Sequence, residues 1–402
     1  MSDFLSTTWW KNYQDQLNSN QEWKESAKWF EARIEFKFGN ETASLDILPG
    51  GRVVSFNIGQ SEFGTDISLT APQKEWESLY AGGTDFYKAT SPGFGEMVIG
   101  GNVALAMRNA KTMWLMLEAM KHVDQVGVTS PDPSPDPMST GNATVGRYIT
   151  VNGIRTYYEE AGEGPVIVCF HAACQDTMMY RHVLDGLSDR YRVISLDAPG
   201  HGKTLMPRGG PFQDLTRHAE FNEAFIAALG LDRPAIIGCS MAGNMVLEMA
   251  ARKPHGYSAV VSSEGADYTP TVSPFSLSII KTDGHQLVAG WSRSLTGNRT
   301  PADRAAEVVW QIQRNTSEIM AGDLTGYAGF DMRNEMSKIV DPVLMIRGDG
   351  DWLVGQQATD DTAARISGAK VVVLRGTGHY PMIENPREFN QAVRDFLSAI
   401  DY

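Results

Sequence analysis

Ile236-Ile237-Gly238-Cys239-Ser240-Met241-Ala242-Gly243 decides how this chain is read: apolar residues enter a Gly-x-Ser-x-Ala turn, and a helical pattern from Met245 to Arg252 leaves it. A serine on a tight strand-to-helix turn is lifted above the sheet edge. Small flanking residues let the backbone bend sharply, and the following helix N-terminus offers amide N–H groups to a developing anion. Ser240 is therefore a candidate nucleophile. The pattern departs from the strict glycine motif at Ala242, although Gly243 comes next.

Partners in a suitable order lie in the C-terminal third. Val343-Leu344-Met345-Ile346-Arg347 is a short apolar run ending in Gly348-Asp349-Gly350-Asp351, a strand followed by an acidic turn. Val371-Val372-Val373-Leu374 then leads through Gly376-Thr377-Gly378 to His379. The order is serine, acid, histidine, with separations of 111 residues (240 to 351) and 28 (351 to 379). Such spacing suits groups on successive strand ends of one parallel sheet, whose loops converge on one rim. Asp351 is the preferred acid. Asp349 is an alternative in the same turn, and Glu264 is another because it follows the strand-like Ala259-Val260-Val261.

An oxyanion hole is the remaining part of such a site. Pro165-Val166-Ile167-Val168-Cys169-Phe170 reads as a buried strand opening into His171-Ala172-Ala173-Cys174. Backbone N–H groups suffice for the chemistry, so Ala173 and Met241 are the expected donors, with the His171 imidazole supporting the loop.

These motifs, together with Gly153-Ile154-Arg155-Thr156-Tyr157-Tyr158-Glu159, Asp197-Ala198-Pro199-Gly200-His201-Gly202 and Glu384-Asn385-Pro386, make residues from about 146 to 400 resemble an α/β-hydrolase. The resemblance implies a catalytic triad of Ser240, His379 and Asp351. Haloalkane dehalogenases and soluble epoxide hydrolases of this fold carry a carboxylate where Ser240 stands, so those chemistries are excluded. Asp197 and His201 are expected to shape a loop rather than to catalyse. Where the fold normally shows His-Gly, this chain has His171-Ala172.

Periodicity supports the same layout. Tyr191 to Leu196 reads as a strand, and His218, Phe221, Phe225, Ile226 and Leu229 recur at helical spacing before Gly230. In the last helix, Asn385 is the expected N-cap, Pro386 takes the first helical position, and Glu388 is placed to close a capping box. Strands alternating with helices argue for a mostly parallel sheet covered on both faces. About 80 residues between Ser262 and Pro342 break the alternation, and a helical cap is expected at about 264–340. Within it a helix starting at Thr300-Pro301 is expected to carry Ala305, Val308, Val309, Ile312 and Met320. Phe275, Leu277, Trp291, Trp310, Tyr327 and Phe330 add large apolar surface. Such a lid would wall an apolar pocket.

Residues 1–126 differ in kind. Ala32, Ile34, Phe36 and Phe38 alternate with charged residues; Ala43, Leu45 and Ile47 alternate likewise before Pro49-Gly50-Gly51 and the set Val54, Phe56, Ile58. These predict half-buried antiparallel strands. Thr65 to Thr70 alternates as a further strand, and Thr70 is read as the N-cap of a helix with Pro72 in its first turn. Helical patterns run over Trp9 to Phe30, Ala71 to Tyr80 and Asn102 to His122, the last with Met107, Met113, Leu115, Met116 and Met120. The order of elements, and above all the stretch Val98-Ile99-Gly100-Gly101-Asn102-Val103-Ala104-Leu105-Ala106-Met107, resembles a sterol-carrier-protein-like α+β domain. That resemblance implies binding of a bulky apolar molecule; plain core packing of the methionines, with a role in dimerisation, is the alternative. Residues 127–143 hold alternating prolines from Pro131 to Pro137, a semi-rigid spacer. The hydrolase-like domain then covers 144–402.

Composition limits the rest. The formal net charge is −13, of which residues 1–126 contribute −5 (11 basic, 16 acidic) and the remainder −8. Without a dominant basic face, nucleic acid and anionic membrane are not expected partners. Cys169, Cys174 and Cys239 are odd in number and sit in apolar contexts, which argues against a disulfide framework and for a reducing, cytoplasmic setting. The start Met1-Ser2-Asp3-Phe4 lacks the pattern of a signal peptide, and no metal-ligand cluster or nucleotide-binding loop stands out, so neither metal nor cofactor is expected. The expected activity is hydrolysis of an ester or lactone of a hydrophobic, ring-containing substrate. Alternatives are hydrolysis of a carbon–carbon bond in a diketone-like substrate, or a non-catalytic lipid-binding protein; a homo-oligomer would form through the N-terminal domain.

Overall fold

A computed structural model of the chain describes residues 6–59, 64–123, 139 and 141–402. Contacts divide it into two units, Met1–Thr129 and Ser130–Tyr402. The proline-rich stretch 127–137 lies outside the described residues, as does Met1–Leu5.

The first unit holds a five-stranded sheet of β1 (Ala32–Phe38), β2 (Glu41–Leu48), β3 (Arg52–Ile58), β4 (Ile67–Ala71) and β5 (Val98–Gly101), in the order β3-β2-β1-β4-β5. The period-two reading of β1 and β2 matches the buried face: Ile34, Phe36, Ala43 and Leu45 are all buried. Trp10 packs on Phe36 at 5.4 Å between ring centroids, and Trp76 on Phe38 at 4.6 Å. The methionines Met113, Met116 and Met120 are buried in the same unit, whose Tyr13 hydroxyl donates to the Met116 carbonyl at 2.6 Å.

Several expectations are corrected here. β4 runs parallel to β1, and Thr70 pairs with Lys37 inside β4 instead of capping a helix. Pro72 takes the cap position before the helix Gln73–Tyr80. In β3 the inward residue near the turn is Val53, while Val54 and Ile58 are exposed. A register shift between Asp46 and Ile47 pairs Ile47 with Val53 and so exchanges the two faces of β3 beyond it. The two long helical patterns are each broken by an asparagine. Asn20 ends Thr7–Ser19, and its side chain accepts from Trp23 N–H to start Gln21–Ser26. Asn109 separates Val103–Arg108 from Ala110–Met120.

The second unit is an eight-stranded sheet. Its strands are β6 (Val145–Val151), β7 (Ile154–Ala161), β8 (Val166–Phe170), β9 (Arg192–Leu196), β10 (Ala235–Cys239), β11 (Ala259–Ser263), β12 (Val343–Gly348) and β13 (Lys370–Leu374), ordered β13-β12-β11-β10-β8-β9-β7-β6. From β8 onward the neighbours are parallel, and the hairpin β6–β7 closes one edge antiparallel. Alternate residues feed two cores. Val168, Phe170, Ile194, Leu196 and Ile236 enter one; Ile167, Cys169, Val193, Ile237 and Cys239 enter the other. Because both faces are covered, the strands read as continuous apolar runs. β8 lies between β9 and β10, so the winding direction reverses at β8 and a crevice opens beyond its C-terminal end and that of β10.

Between β11 and β12 stand the cap helices Pro274–Ser294, Ala302–Ile312 and Ser317–Tyr327. Met320 belongs to the third, because Thr316 caps a new helix there. Phe275 and Trp310 are about half exposed, at 53% and 51%, and so do not wall a pocket. At the C-terminus, Asn385 caps the helix Pro386–Ser398 by accepting from Glu388 N–H. The reciprocal half of a capping box does not form, since the Asn385 N–H donates to the Pro381 carbonyl.

Candidate active site

Ser240 follows β10 at φ 54°, ψ −119°, a strained conformation for a residue with a Cβ, and the helix Met241–Arg252 starts directly after it. Close packing makes the turn. A Cβ on Gly238 would lie 2.0 Å from the Ala242 carbonyl oxygen, and one on Gly243 would lie 2.7 Å from the Ser263 carbonyl oxygen. The tight approach to β11 therefore falls on Gly243, which explains why alanine is tolerated at 242. The Ser240 N–H donates to the Ser263 carbonyl at 2.9 Å, which ties the turn to β11.

His379 arrives from the loop after β13. Its N–H donates to the Leu295 carbonyl at 2.9 Å, and its own carbonyl accepts from Cys239 Sγ at 3.4 Å, so the histidine is anchored beside the turn that carries Ser240. A Cβ on Gly378 would meet the Leu295 carbonyl oxygen at 2.0 Å, and one on Gly348 the Thr377 carbonyl oxygen at 2.2 Å. Gly348 lets the acid loop touch the histidine loop, and Gly378 lets the histidine loop pass against the end of the cap helix Pro274–Ser294.

His379 Nδ1 lies 2.6 Å from Asp351 Oδ2, with both side chains buried. Burial alone would raise the Asp351 carboxyl, but the imidazole beside it takes it below its ordinary value. Asp351 Oδ1 also accepts from Leu353 N–H at 2.8 Å. Asp349 is elsewhere: it is exposed and accepts from Gly376 N–H at 2.6 Å, bracing the loop before the histidine. Glu264, at φ 46°, is buried next to Asp351, and its Oε1 accepts from Gly348 N–H. Burial first, and then the Asp351 charge, raise its pKa well above normal. Two of the three carboxyl candidates thus meet the imidazole region, and the hydrogen bond goes to Asp351. Glu264, Asp351 and His379 have donor atoms within 4.8 Å of one another and are of types a metal could use. The 2.6 Å line between Nδ1 and Oδ2 has the length of a hydrogen bond, too short for a cation between two ligands at ~2.0–2.2 Å each.

Ala173 and Met241 flank the C-terminal ends of β8 and β10, and among the described residues neither N–H donates to a protein acceptor. His171 shapes this loop. Its Nδ1 faces the Ala172 carbonyl at 2.8 Å and its Nε2 accepts from Ala198 N–H at 3.0 Å. Burial, then the neighbouring His201, push its pKa down to about 3, so the ring is neutral. Asp197 accepts from Thr177 N–H at 2.8 Å and Lys203 N–H at 2.6 Å, a loop-shaping role. The structure shows no hydrogen bond between Ser240 Oγ and His379; such contacts commonly tighten only with substrate bound.

Thr269, Asn244 and Asp323 escaped the sequence reading. Asn244 Nδ2 donates to Thr269 Oγ1 at 2.8 Å, and Asn244 Oδ1 accepts from Ala266 N–H at 2.7 Å. Tyr327, from the cap, is raised to about 12 by burial, with the hydroxyls of Thr269 and Ser240 among the groups acting on it. Asn244 sits four residues after Ser240 on the same helix face, a signal the spacing could have supplied. Thr269 and Asp323 have no such local signature.

Comparison with known proteins agrees with this architecture. The alpha/beta hydrolase fold family matches residues 165–386. Among curated relatives, a 2-(acetamidomethylene)succinate hydrolase of Mesorhizobium japonicum is 23% identical over 63% of this chain and 96% of its own. A 2-hydroxy-6-oxo-6-(2'-aminophenyl)hexa-2,4-dienoic acid hydrolase of Metapseudomonas resinovorans is 26% identical over 64% and 92%. Among solved structures, the enol-lactonase of Burkholderia xenovorans superposes with a TM-score of 0.57 at 24% identity, over 63% of this chain and 100% of that one. The family match spans more than half the chain and covers the strands β8 to β13 together with Ser240, Asp351 and His379, so the chain belongs to the alpha/beta hydrolase fold family.

Proposed function

We propose that the chain is a serine hydrolase acting on an ester or lactone carbonyl of a hydrophobic, ring-containing substrate. The observation that carries the reading is the buried His379–Asp351 contact of 2.6 Å beside a serine held at φ 54°. With Nδ1–H donating to Asp351, the Nε2 of His379 is free to take the Ser240 proton as Oγ attacks the carbonyl carbon. The tetrahedral oxyanion is received by the Ala173 and Met241 amides, each such donor contributing on the order of 3 kcal/mol. The imidazolium then protonates the leaving oxygen, and water repeats the cycle on the acyl-enzyme. Relatives that bear hydrolase names support the reaction class.

Hydrolysis of short and long p-nitrophenyl esters and of aromatic lactones by wild type and Ser240→Ala is the direct test. Loss of turnover by about 10⁴-fold or more in the folded variant is expected; turnover retained by it would sink the assignment. The name of the Metapseudomonas relative favours a second reading, cleavage of a carbon–carbon bond in a diketone-like substrate by the same side chains. A dienoate ketone substrate turned over faster than every ester would establish that reading instead.

For the N-terminal unit we carry the sterol-carrier-like reading as a proposal, supported by the strand–helix order that ends in Val98–Gly101 and Val103–Arg108. Binding of a fluorescent fatty acid by the full chain tests it, and oligomerisation through this unit is tested by the mass in solution. A reducing, cytoplasmic setting fits three buried cysteines that are all unpaired. Among the described residues no helix is long and apolar enough to cross a membrane.

A further inference from the structure

Cys174 directly follows Ala173 and sits at φ 62°, in the left-handed region that a residue with a Cβ occupies only when its surroundings hold it there. The holding groups come from the cap. Cys174 N–H donates to Asp323 Oδ2 at 2.7 Å, and the Cys174 carbonyl accepts from Asn315 Nδ2 at 2.8 Å. Two residues further along the loop, Asp176 meets Arg314 at 3.0 Å. Asp323 is in the helix Ser317–Tyr327, and the same Oδ2 contacts His201 Nε2 at 2.9 Å, on the loop after β9.

The proposed reaction does not use Asp323. It is nonetheless a carboxylate with a side chain only 1% exposed, in a place where an unpaired charge would be strongly destabilising. Burial would raise its pKa, but His201 brings it below the ordinary value; burial would lower His201, and Asp323 more than reverses that. A carboxylate–imidazole pair spanning cap and core, with one oxygen shared by a loop amide, costs more to bury than apolar packing would. It fixes the peptide between Ala173 and Cys174, on the C-terminal side of Ala173. The preceding peptide, which carries the Ala173 N–H, is held through the Ala172 carbonyl by the Gln175 N–H at 3.2 Å and His171 Nδ1 at 2.8 Å. The two peptides together set the conformation of Ala173.

We propose that Asp323 is a positioning residue that, with Asn315, ties the cap to the oxyanion loop and holds the Ala173 amide in register with the substrate carbonyl. This rests on the reading of Ala173 as an oxyanion donor. It makes the helix Ser317–Tyr327 part of the oxyanion hole: the helix cannot lift away as a free lid without releasing the Cys174 backbone.

The test is steady-state hydrolysis of p-nitrophenyl butyrate by the full chain as wild type, Ser240→Ala, Asp323→Ala, Asp323→Asn and Asn315→Ala, with thermal melts to check folding. Asp323→Ala is expected to lower kcat by about 100-fold with KM within about threefold, since an oxyanion donor acts in the transition state. Asp323→Asn keeps an oxygen for the Cys174 N–H and is expected to stay within about fivefold of wild type; Asn315→Ala should fall by about tenfold. A folded Asp323→Ala with wild-type kcat, or an Asp323→Asn as damaged as Asp323→Ala, overturns the proposal. If Asp323→Ala does not fold, a wild-type kcat in Asn315→Ala overturns it. Turnover surviving in Ser240→Ala instead fails the functional reading itself, an outcome visible in its own arm of the experiment.

Discussion

The two units solve the burial problem in opposite ways. In the first, the interior is aromatic and aliphatic, and among its described residues Glu35 is the only carboxylate or basic side chain that is buried, held by Lys37 at 2.8 Å. In the second, the interior contains His171, Asp197, His201, His218, Glu264, Asp323, Asp351 and His379. Burying polar groups is unfavourable unless each finds a partner, so a chain concentrates them where chemistry or a connection requires it. The contrast teaches that apolar packing dominates the first unit, whereas the second brings many polar side chains into its interior, the paired Asp351 and His379 among them.

The largest effect expected from probing this contrast is at the acid. Asp351→Asn should lower kcat for p-nitrophenyl butyrate by about 10³–10⁴-fold while the fold survives, because the amide no longer favours the tautomer that leaves Nε2 free. Asp349→Asn, which touches the loop amide of Gly376 rather than the imidazole, should stay within about threefold of wild type. Equal losses in both would erase the distinction between the two carboxylates.

Next comes the apolar interior of the first unit. Trp10 is fully buried against Phe36, Phe38 and Phe56, and Trp10→Ala should cost about 3–5 kcal/mol of that unit's stability. Denaturant titration followed by tryptophan fluorescence measures it. Ser240-dependent turnover should be unchanged under conditions where the second unit stays folded; a parallel loss of kcat would show that the two units are not separable in function.

Per pH unit, the smallest effect is in acid. His218 is buried, its Nε2 has no hydrogen-bond partner among the described residues, and burial lowers its pKa to about 4; His171 is lowered to about 3. Between about pH 6.5 and 4 the unfolded chain binds protons that these folded rings refuse. Stability therefore falls as pH falls, by up to roughly 1.4 kcal/mol per pH unit for each histidine. His201 acts in the other direction, since its raised pKa makes its contribution present below about 6.5 and lost as pH rises through its folded value. Thermal melts from pH 7 to 4 should show the second unit destabilised and the first, which buries no histidine among its described residues, far less so. His218→Gln should flatten the slope; an unchanged slope would remove His218 as a source.

Legibility varied with the range of the interaction involved. The strands β8, β10, β11 and β12 were readable because a strand covered on both faces must be apolar at nearly every position. The Asn385 cap was readable because its bond closes within three residues. The breaks at Asn20 and Asn109 were not, since the helical periodicity of the flanking residues continues through them and masks the local cap. Val53 replaced Val54 on the buried face because one register shift outweighed a local alternation.

The order of serine, acidic turns and histidine, each at the end of a strand or just after it, was determined by sequence alone, because strand periodicity and turn chemistry act over a few residues. Which carboxylate meets the imidazole was decided only by tertiary structure. Asp349, Asp351 and Glu264 are equivalent as side-chain chemistry and differ by where β11, β12 and the His379 loop converge. The same holds for Asp323, which reaches Cys174 across 149 residues of chain. No local pattern encodes that contact; it exists because the cap helix is packed against the loop after β8.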